Sequence, residues 1–230
     1  MCAEYSNKSI ACDASSLISL ADTCFLPALA ELKAAQGAEF LITEGVKAEC
    51  IDTPLRTRSH TLPAIRLQLA LNDGVIRLVE SGGVKKTAED LIWTANNIFF
   101  AGGKPISIFH KGEAETIALA ISLGLESVMI DERNARLIIE DPDMMGDRLE
   151  HELGISVRRN DKYIARLKSM TSRLKFFRSS ELLAVAYERG YFKRFRGLER
   201  EAVEAGLYGL KFAGCSISFD EIGEITSSLR

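Results

Sequence analysis

Two aspartates stand at the ends of short apolar runs that are typical of strands. Asp13 ends the run at residues 9–13, and Asp131 follows the run at residues 127–130. In a doubly wound sheet, ligands bind at the carboxyl ends of strands beside the point where the strand order reverses. Glu113 lies in the first turn of a predicted amphipathic helix at residues 112–123, and its place above the apolar stripe should point it toward the same end of the sheet. Glu115 is rotated by about 200° around that helix and is expected to face solvent.

Carboxylates gathered at one end of a sheet repel one another, and a divalent cation relieves that repulsion. The chain has no cysteine or histidine spacing that is typical of a zinc site, so oxygen ligation of Mg²⁺ or Mn²⁺ is the interpretation that fits. Such ions activate water and neutralise a phosphate as it is attacked. A structural role is the alternative, because an aspartate after a strand is often a helix N-cap.

The sequence alternates strand and helix patterns, and this alternation is what could bring the acids together. Strands are predicted at residues 9–13, 39–42, 75–79, 127–130 and 155–157. Helices are predicted at residues 14–20, at 43–49 with Thr43 as the N-cap, at 112–123 and at 133–140. Short strands separated by helices indicate an α/β architecture, with a parallel sheet covered on both faces.

Two regions depart from this alternation. Residues 81–111 contain a possible helix at 87–99 and are interpreted as an insertion near the upper edge of the sheet. Residues 157–200 contain 13 Lys and Arg but only four acids, although the whole chain has a formal net charge of -3. We therefore divide the chain into a catalytic domain at residues 1–158 and a basic, mainly helical C-terminal extension at residues 159–230. Such a basic segment can attract the phosphates of RNA.

Aromatic side chains are interleaved with the basic residues of this segment: Phe176, Phe177, Tyr187, Tyr191, Phe192 and Phe195. One interpretation is a stacking surface for RNA bases. The interpretation that we favour is core packing, because Leu167, Met170, Leu174 and Phe177 follow a helical stripe. The basic side chains would then lie on a solvated face and could still guide RNA toward the acids.

Four stretches carry a resemblance to a known family. They are D-A-S-S-L-I at residues 13–18, T-E-G-V-K-A-E at 43–49, G-E-A-E-T-I-A-L-A at 112–120 and I-D-E-R-N-A-R at 130–136. Together they are similar to the PIN-domain nucleases, and nearest to the prokaryotic PIN-like branch that includes toxins. The resemblance covers about residues 8–158. The departures from the pattern of that branch are Ala14, Ser16 and Glu132, none of which removes an acid.

The resemblance implies a three-layer α/β/α fold whose parallel sheet has about five strands in the order 3-2-1-4-5. It also implies a catalytic and metal-binding quartet that consists of Asp13, Glu49, Glu113 and Asp131. In that quartet Asp13 and Asp131 ligate the metal directly, whereas Glu49 and Glu113 ligate it, or orient its waters, from the sides. Ser15 supplies a hydroxyl that hydrogen-bonds an acid or a metal-bound water.

The activity that the resemblance implies is metal-dependent hydrolysis of phosphodiester bonds, chiefly in RNA, leaving a 5′-phosphate and a 3′-hydroxyl. Many members of the family are toxins that an antitoxin protein inhibits, and the family commonly forms homodimers. At 230 residues the chain is longer than a minimal toxin of this family, which favours a stand-alone enzyme or one with its own substrate-binding extension. The alternative is a non-catalytic PIN-like module that binds RNA or a protein.

Arg133 and Arg136 follow Asp131 at helical spacing, and Arg136 matches the arginine of the family's A-R pair. Two roles stay open for them, as substrate-binding residues on the scissile phosphate or as partners for the negative charge of the quartet. His110 precedes the Gly112-Glu113 turn, and we interpret it as a surface or loop histidine rather than a catalytic base.

The composition limits the remaining possibilities. The chain is 47% hydrophobic and 27% charged, which excludes a disordered or collagenous protein. Its cysteines have no C-x-x-C spacing and are predicted to be reduced and mostly buried: Cys2, Cys12, Cys24, Cys50 and Cys215. P-loop, G-x-S-x-G and H-E-x-x-H motifs are absent from the sequence. No apolar run approaches the length of a membrane span, so a cytoplasmic protein without a membrane partner is expected.

Overall fold

Eight strands form two sheets in the computed structural model of the chain, which describes residues 8–80 and 82–229. The strands are β1 (Ser9–Cys12), β2 (Glu39–Ile42), β3 (Ile76–Leu78), β4 (Phe99–Ala101), β5 (Lys104–Pro105), β6 (Ser127–Met129), β7 (Val157–Arg159) and β8 (Lys175–Phe177). The central sheet has five strands in the order β3-β2-β1-β6-β8, and a small sheet has the order β5-β4-β7.

All neighbouring strands of the central sheet are parallel. Numbered by chain position within that sheet, its order is 3-2-1-4-5, as the resemblance implied. β1 lies at the centre, where Ile10 stands opposite Phe40 on one side and Ser127 on the other. The strand order reverses between β1 and β6, so Asp13 and Asp131 follow neighbouring strand ends.

Thirteen α-helices in residues 8–80 and 82–229 complete the fold. They are α1 (Ala14–Asp22), α2 (Pro27–Gln36), α3 (Glu44–Lys47), α4 (Thr53–Thr57), α5 (Thr61–Asn72), α6 (Val84–Ala95), α7 (Lys111–Leu123), α8 (Arg133–Glu140), α9 (Pro142–Leu153), α10 (Asp161–Thr171), α11 (Ser179–Glu188), α12 (Glu199–Phe212) and α13 (Phe219–Ser228). A π-helical turn, Ala48–Asp52, joins α3 to α4, and a 3₁₀ turn, Tyr191–Phe195, precedes α12. Within these described ranges no single helix is long and apolar enough to cross a membrane, and only the pair α1 and α2, bent by 110°, passes that test jointly.

Side chains that alternate along the strands build one core on each face of the central sheet. On one face Ala11, Leu41 and Val128 pack with apolar residues of α6, α7 and α8. On the other face Cys12 and Met129 pack with apolar residues of α1, α2, α11 and α12. Helices therefore cover both faces, which confirms the predicted three-layer α/β/α architecture.

The edge strand of the central sheet differs from the prediction. Residues 155–157 were expected to supply the fifth strand, but β7 instead pairs antiparallel with β4, with Val157 opposite Ala101. β8 takes the edge position, with Phe176 opposite Val128. Burial explains the difference, because the two phenylalanines of β8 pack on the cores of opposite faces, whereas the two arginines of β7 are exposed. The parallel sheet thus continues beyond residue 158.

The interpretation of residues 81–111 as an insertion at the sheet edge is also wrong. The helix there is α6, which begins before the predicted 87–99 and buries Val84, Ala88, Leu91 and Ala95. These residues belong to the core that α7 covers. Their spacing of three and four residues gives α6 one apolar face, so it forms part of the helical layer. Ser81 lies outside the described residues.

The aromatic residues of the basic segment mostly serve the core, as favoured from the sequence. The predicted helical stripe is wrong, because α10 ends at Thr171 and Phe177 lies in β8 and packs on the opposite core. Leu167 is nevertheless buried, and Met170 and Leu174 pack against the same core as Leu167. Tyr191 and Phe192 are buried in the core of the opposite face. The basic side chains around them, apart from the buried Arg178, are largely exposed.

Three of the cysteines are buried free thiols, as predicted: Cys12, Cys50 and Cys215. Burial raises the pKa of Cys50 to about 12 and that of Cys215 to about 11, so both are protonated at neutral pH. Cys24 is free but exposed, and Cys2 lies outside the described residues.

Gly206 allows α12 to pack closely against α11 and Phe25. A Cβ on Gly206 would lie 2.8 Å from side-chain atoms of Leu183 and Phe25. We expect Gly206→Ala to lower the free energy of unfolding by about 1 kcal/mol or more, because overpacking outweighs the gain in helix propensity. Urea unfolding followed by circular dichroism measures this.

Gly223→Ala in α13 is the matched control. Among the described residues outside its own helix, no atom lies within 4 Å of the place that a Cβ would take at Gly223, so this variant should be more stable than the wild type by about 0.5–1 kcal/mol. Equal effects of the two substitutions would contradict the close contact at Gly206.

Candidate active site

Asp13 lies at the carboxyl end of the central strand and begins α1. Its backbone N–H donates to the carbonyl of Met129 at 2.9 Å, which joins the ends of β1 and β6. Its Oδ2 accepts hydrogen bonds from the backbone N–H of Ser15 at 3.1 Å and from the Ser15 hydroxyl at 2.6 Å. The side chain is buried, and this burial raises the pKa of Asp13, although Ser15 opposes the shift.

Asp131 lies at the end of the neighbouring strand and is fully buried. Its Oδ1 accepts from the Ser16 hydroxyl at 3.0 Å and from the backbone N–H of Ser179 at 2.7 Å. Its Oδ2 accepts from the Ser179 hydroxyl at 2.6 Å. The backbone carbonyl of Asp131 accepts from the N–H of Ser216 at 3.2 Å. Donors from α1, α11 and the loop before α13 therefore surround this residue.

Ser15 connects the two aspartates. Its hydroxyl donates to Asp13 and accepts from the backbone N–H of Asp131 at 3.3 Å. A serine hydroxyl can do both because it has one donor and two acceptor lone pairs. The structure thus shows the contact between Ser15 and an acid that the resemblance implied.

Glu49 reaches the same region from the π-helical turn after α3. A Cβ on Gly112 would lie 2.8 Å from Glu49 Oε2 and 3.7 Å from Asp13 Oδ1, so both carboxylates face the gap that this glycine leaves open. The pKa of Glu49 is raised by burial and then by the charges of Asp13, Glu113 and Glu115. Glu49 keeps contact with solvent, which limits the size of this effect.

Glu113 stands in the first turn of α7, where its Oε2 accepts from the backbone N–H of His110 at 3.1 Å. Burial raises the pKa of Glu113, and the charge of Asp13 adds to the shift, whereas His110 opposes it. Asp13 is therefore the central member of the acidic group, because its charge acts on both Glu49 and Glu113.

Glu115 is not the solvent-facing acid that its helical position predicted. Its side chain is only 14% exposed, and its Oε2 accepts from the Thr43 hydroxyl at 3.3 Å. A Cβ on Gly45 would collide with this carboxylate, so α3 covers it closely. The prediction considered rotation about α7 alone and missed the neighbouring helix.

The predicted substrate-binding arginines lie beside the quartet without pairing with it. Arg136 Nη2 donates to Glu140 at 3.2 Å, and Arg136 Nε is a buried nitrogen with no hydrogen-bond partner among residues 8–80 and 82–229. Arg133 is exposed and forms no ion pair within those residues. Pairing with the acids is thus not seen for either arginine. His110 is exposed, in line with the surface role expected for it.

The donor chemistry near Gly112 fits a hard divalent cation. Mg²⁺ is commonly bound by one or two carboxylates while it keeps several waters, and Asp13 and Glu49 supply such a pair. In the described part of the chain, however, no three His, Cys, Asp or Glu side chains are close enough to hold a metal ion together. Asp131 differs from the other three acids because its two oxygens already accept three hydrogen bonds.

Sequence reasoning missed the residues that hold Asp131. Ser16 was noted only as a departure from the family pattern, and Ser179 was not singled out. Ser179 follows the strand that the sequence did not identify, so no motif indicated that it would reach Asp131, 48 residues earlier. The buried position of Asp131 was the available signal, because a buried carboxylate requires donors.

Comparison of the chain with family models, with curated proteins and with solved structures found no match in any of the three.

The hydrogen bonds to Asp131 can be tested through stability. Ser179→Ala removes the hydroxyl that donates to Oδ2 and leaves that buried oxygen without this donor. We expect the free energy of unfolding to fall by about 1–3 kcal/mol, as measured by urea denaturation. Ser172→Ala, which alters an exposed serine on the surface, should change it by less than about 0.5 kcal/mol. Equal losses in the two variants would show that Ser179 does not stabilise Asp131.

The raised pKa of Asp13 predicts that the stability of the folded state depends on pH. The folded state binds the Asp13 proton more tightly than the unfolded state, so ionised Asp13 lowers stability as the pH rises above about 4. In chelator, Asp13→Asn should therefore have a higher melting temperature than the wild type at pH 7, and the difference should shrink as the pH falls toward 4. Asparagine can still cap α1.

Thermal unfolding between pH 4 and pH 8 measures this difference. Asp73→Asn, at an exposed aspartate after α5, is the control and should show no such pH-dependent gain. A lower melting temperature for Asp13→Asn throughout the range would contradict the assigned effect of burial.

Proposed function

We propose that this chain is a Mg²⁺- or Mn²⁺-dependent endoribonuclease that hydrolyses RNA phosphodiester bonds, with a PIN-like fold. The observation that supports it most is the gap beside Gly112, which the carboxylates of Asp13 and Glu49 both face. Glu113 lies close enough to Asp13 for the charge of Asp13 to add to the raised pKa of Glu113 that burial causes. Such grouping of like charges lowers stability unless a cation binds there.

Asp13 and Glu49 are the residues that would hold the cation. When bound, a divalent cation supplies an acidified water and neutralises charge on a phosphate. Ser15 fixes Asp13 through two hydrogen bonds, so its carboxylate does not need to reorganise on binding. A raised pKa makes Glu113 a stronger base, and we assign it the role of accepting the proton of the attacking water.

Asp131 would act in a different way from the other acids. Since its oxygens accept from Ser16 and Ser179, it positions the end of β6 next to β1. Its charge raises the pKa of Asp13 and adds to the negative potential that would attract a cation. In this proposal Asp131 is therefore a positioning residue and not a direct ligand of the cation.

The partners follow from the same proposal. RNA is the substrate, and the basic side chains of residues 157–200 would attract it by their charge. A homodimer and an inhibiting antitoxin belong to the proposal through the resemblance alone. A cytoplasmic setting belongs to it through the lack of a membrane-length apolar run in the sequence. A non-catalytic RNA- or protein-binding module is the second candidate, and the absence of a three-residue metal group among the described residues favours it.

Cleavage of a labelled single-stranded RNA tests the proposal. The wild type should cut the RNA with Mn²⁺ and not with chelator, and Asp13→Asn should reduce the rate by about 100-fold or more. Asp13→Asn is preferred to a change at Asp131, because an asparagine amide there would face the donors of Ser179.

Asp73→Asn is the matched control for this assay as well, and it should cut as fast as the wild type. If wild type and Asp13→Asn behave alike, whether silent or active, Asp13 has no catalytic role and the binding module becomes the better explanation. If Mn²⁺ raises the melting temperature of both proteins equally, the cation does not bind at Asp13.

A further inference from the structure

A cavity of about 380 Å³ lies between α8 and the C-terminal helices, separate from the gap beside Gly112. Four cationic side chains line it: Arg133, Arg136, Arg178 and Lys211. Two acids, Glu140 and Glu221, also line it, so its walls carry an excess of positive charge. A concave site of this charge favours an anionic group.

The four cations are not equally available to a ligand. Arg178 is held by Glu181, Glu221 and the carbonyl of Ser216, and it serves to tie the C-terminal segment together. Lys211 Nζ donates to the carbonyl of Ile217 at 2.6 Å, which uses one of its three donors.

Two arginines keep free hydrogen-bonding capacity. Arg136 Nη2 donates a hydrogen bond to Glu140, but Arg136 Nε is buried with no partner among the described residues. Arg133 has no ion pair in that part of the chain. A buried donor without a partner is costly, and arginine side chains form charge-assisted hydrogen bonds with phosphate.

Two exposed aromatic residues directly follow lining residues of this cavity in the chain, Phe212 after Lys211 and Phe219 after Ser218. Phe212 is 78% exposed and Phe219 is 56% exposed, and their ring centroids are 6.4 Å apart. Lys211, which lines the cavity, places its Nζ 4.4 Å from the centre of the Phe219 ring. Cations beside exposed aromatic rings form the combination that binds single-stranded nucleic acid, because phosphates contact the cations while bases stack on the rings.

The cavity also adjoins the candidate active site. Ser216 lines the cavity, and its backbone N–H donates to the carbonyl of Asp131 at 3.2 Å. Arg133 and Arg136 belong to the helix that begins just after Asp131. A strand that occupies the cavity would therefore lie next to the strand ends that carry the acids.

We propose that this cavity binds a phosphate of single-stranded RNA, with a neighbouring base stacked on Phe212 and Phe219. The proposal rests on the proposed function for the identity of the strand, and it names the surface that holds RNA beside the acids. It differs from the basic segment of residues 157–200, because Arg133, Arg136, Lys211 and both rings lie outside that segment.

Binding is measured by fluorescence anisotropy with a short labelled oligouridylate in chelator, where metal-dependent cleavage cannot occur. Arg133→Gln should weaken binding by about 5-fold and lower the salt dependence by the equivalent of about one phosphate contact. Phe212→Ala should weaken it by about 5-fold or more through the loss of stacking. Both residues are exposed, so neither substitution should disturb folding, and melting temperatures verify this.

Matched controls come from elsewhere on the surface. Lys86→Gln removes an exposed positive charge that lies outside both the cavity and the basic segment, and Trp93→Ala removes the side chain of a residue that is 60% exposed. Both residues lie on α6. Both variants should bind RNA within about 2-fold of the wild type. Double-stranded RNA of the same length should bind equally well to wild type and Phe212→Ala, because its bases are already paired and stacked.

The outcomes separate this inference from the proposed function. If Arg133→Gln and Phe212→Ala bind as tightly as the wild type, or if the controls lose as much affinity, the cavity is not the RNA site, whatever the cleavage assay shows. If the wild type does not bind the oligouridylate, the inference is wrong. If binding follows the expected pattern but no RNA is cut, the cavity is confirmed as the RNA-binding site and the protein is a binding module.

Discussion

The fold depends on satisfying one buried carboxylate. Asp131 is completely shielded from water, and an ionised side chain in that position requires hydrogen bonds to offset its lost hydration. Ser16 and Ser179 supply them from helices on either side of it in the chain. Because each of these helices directly follows a strand of the central sheet, the three contacts fix the positions of β1, β6 and β8 at their carboxyl ends.

The acidic group includes Asp131, whose position these hydrogen bonds fix. Asp13 stands beside Asp131 because β1 and β6 are neighbours, and Ser15 hydrogen-bonds to both residues. The hydroxyl and backbone donors lower the energy of two neighbouring charges but do not neutralise them. Glu49 and Glu113 add further negative charge to this group. Burial raises the pKa values of Asp13, Glu49 and Glu113, and the charge of a neighbouring acid adds to each shift.

Much of this arrangement could be read from local sequence patterns. Apolar runs identified the first four parallel strands, and an acid after a run correctly marked the strand ends at Asp13 and Asp131. The solvent exposure of Glu115 was predicted wrongly, because the periodicity of one helix contains no information about the element packed beside it. The strand at Lys175–Phe177 was missed because three residues with one charge form too weak a pattern, and its pairing with β6 depends on tertiary contacts.

The hydrogen bonds around Asp131 join residues that are far apart in the chain: Ser16 lies 115 residues before it and Ser179 lies 48 residues after it. During synthesis on the ribosome, the first four parallel strands therefore emerge before the donors that complete this cluster. Until Ser179 has emerged, β6 remains an open sheet edge and Asp131 lacks two of its three donors. The acidic centre can thus reach its final geometry only after Ser179 has left the ribosome, which delays any activity that depends on it until that point.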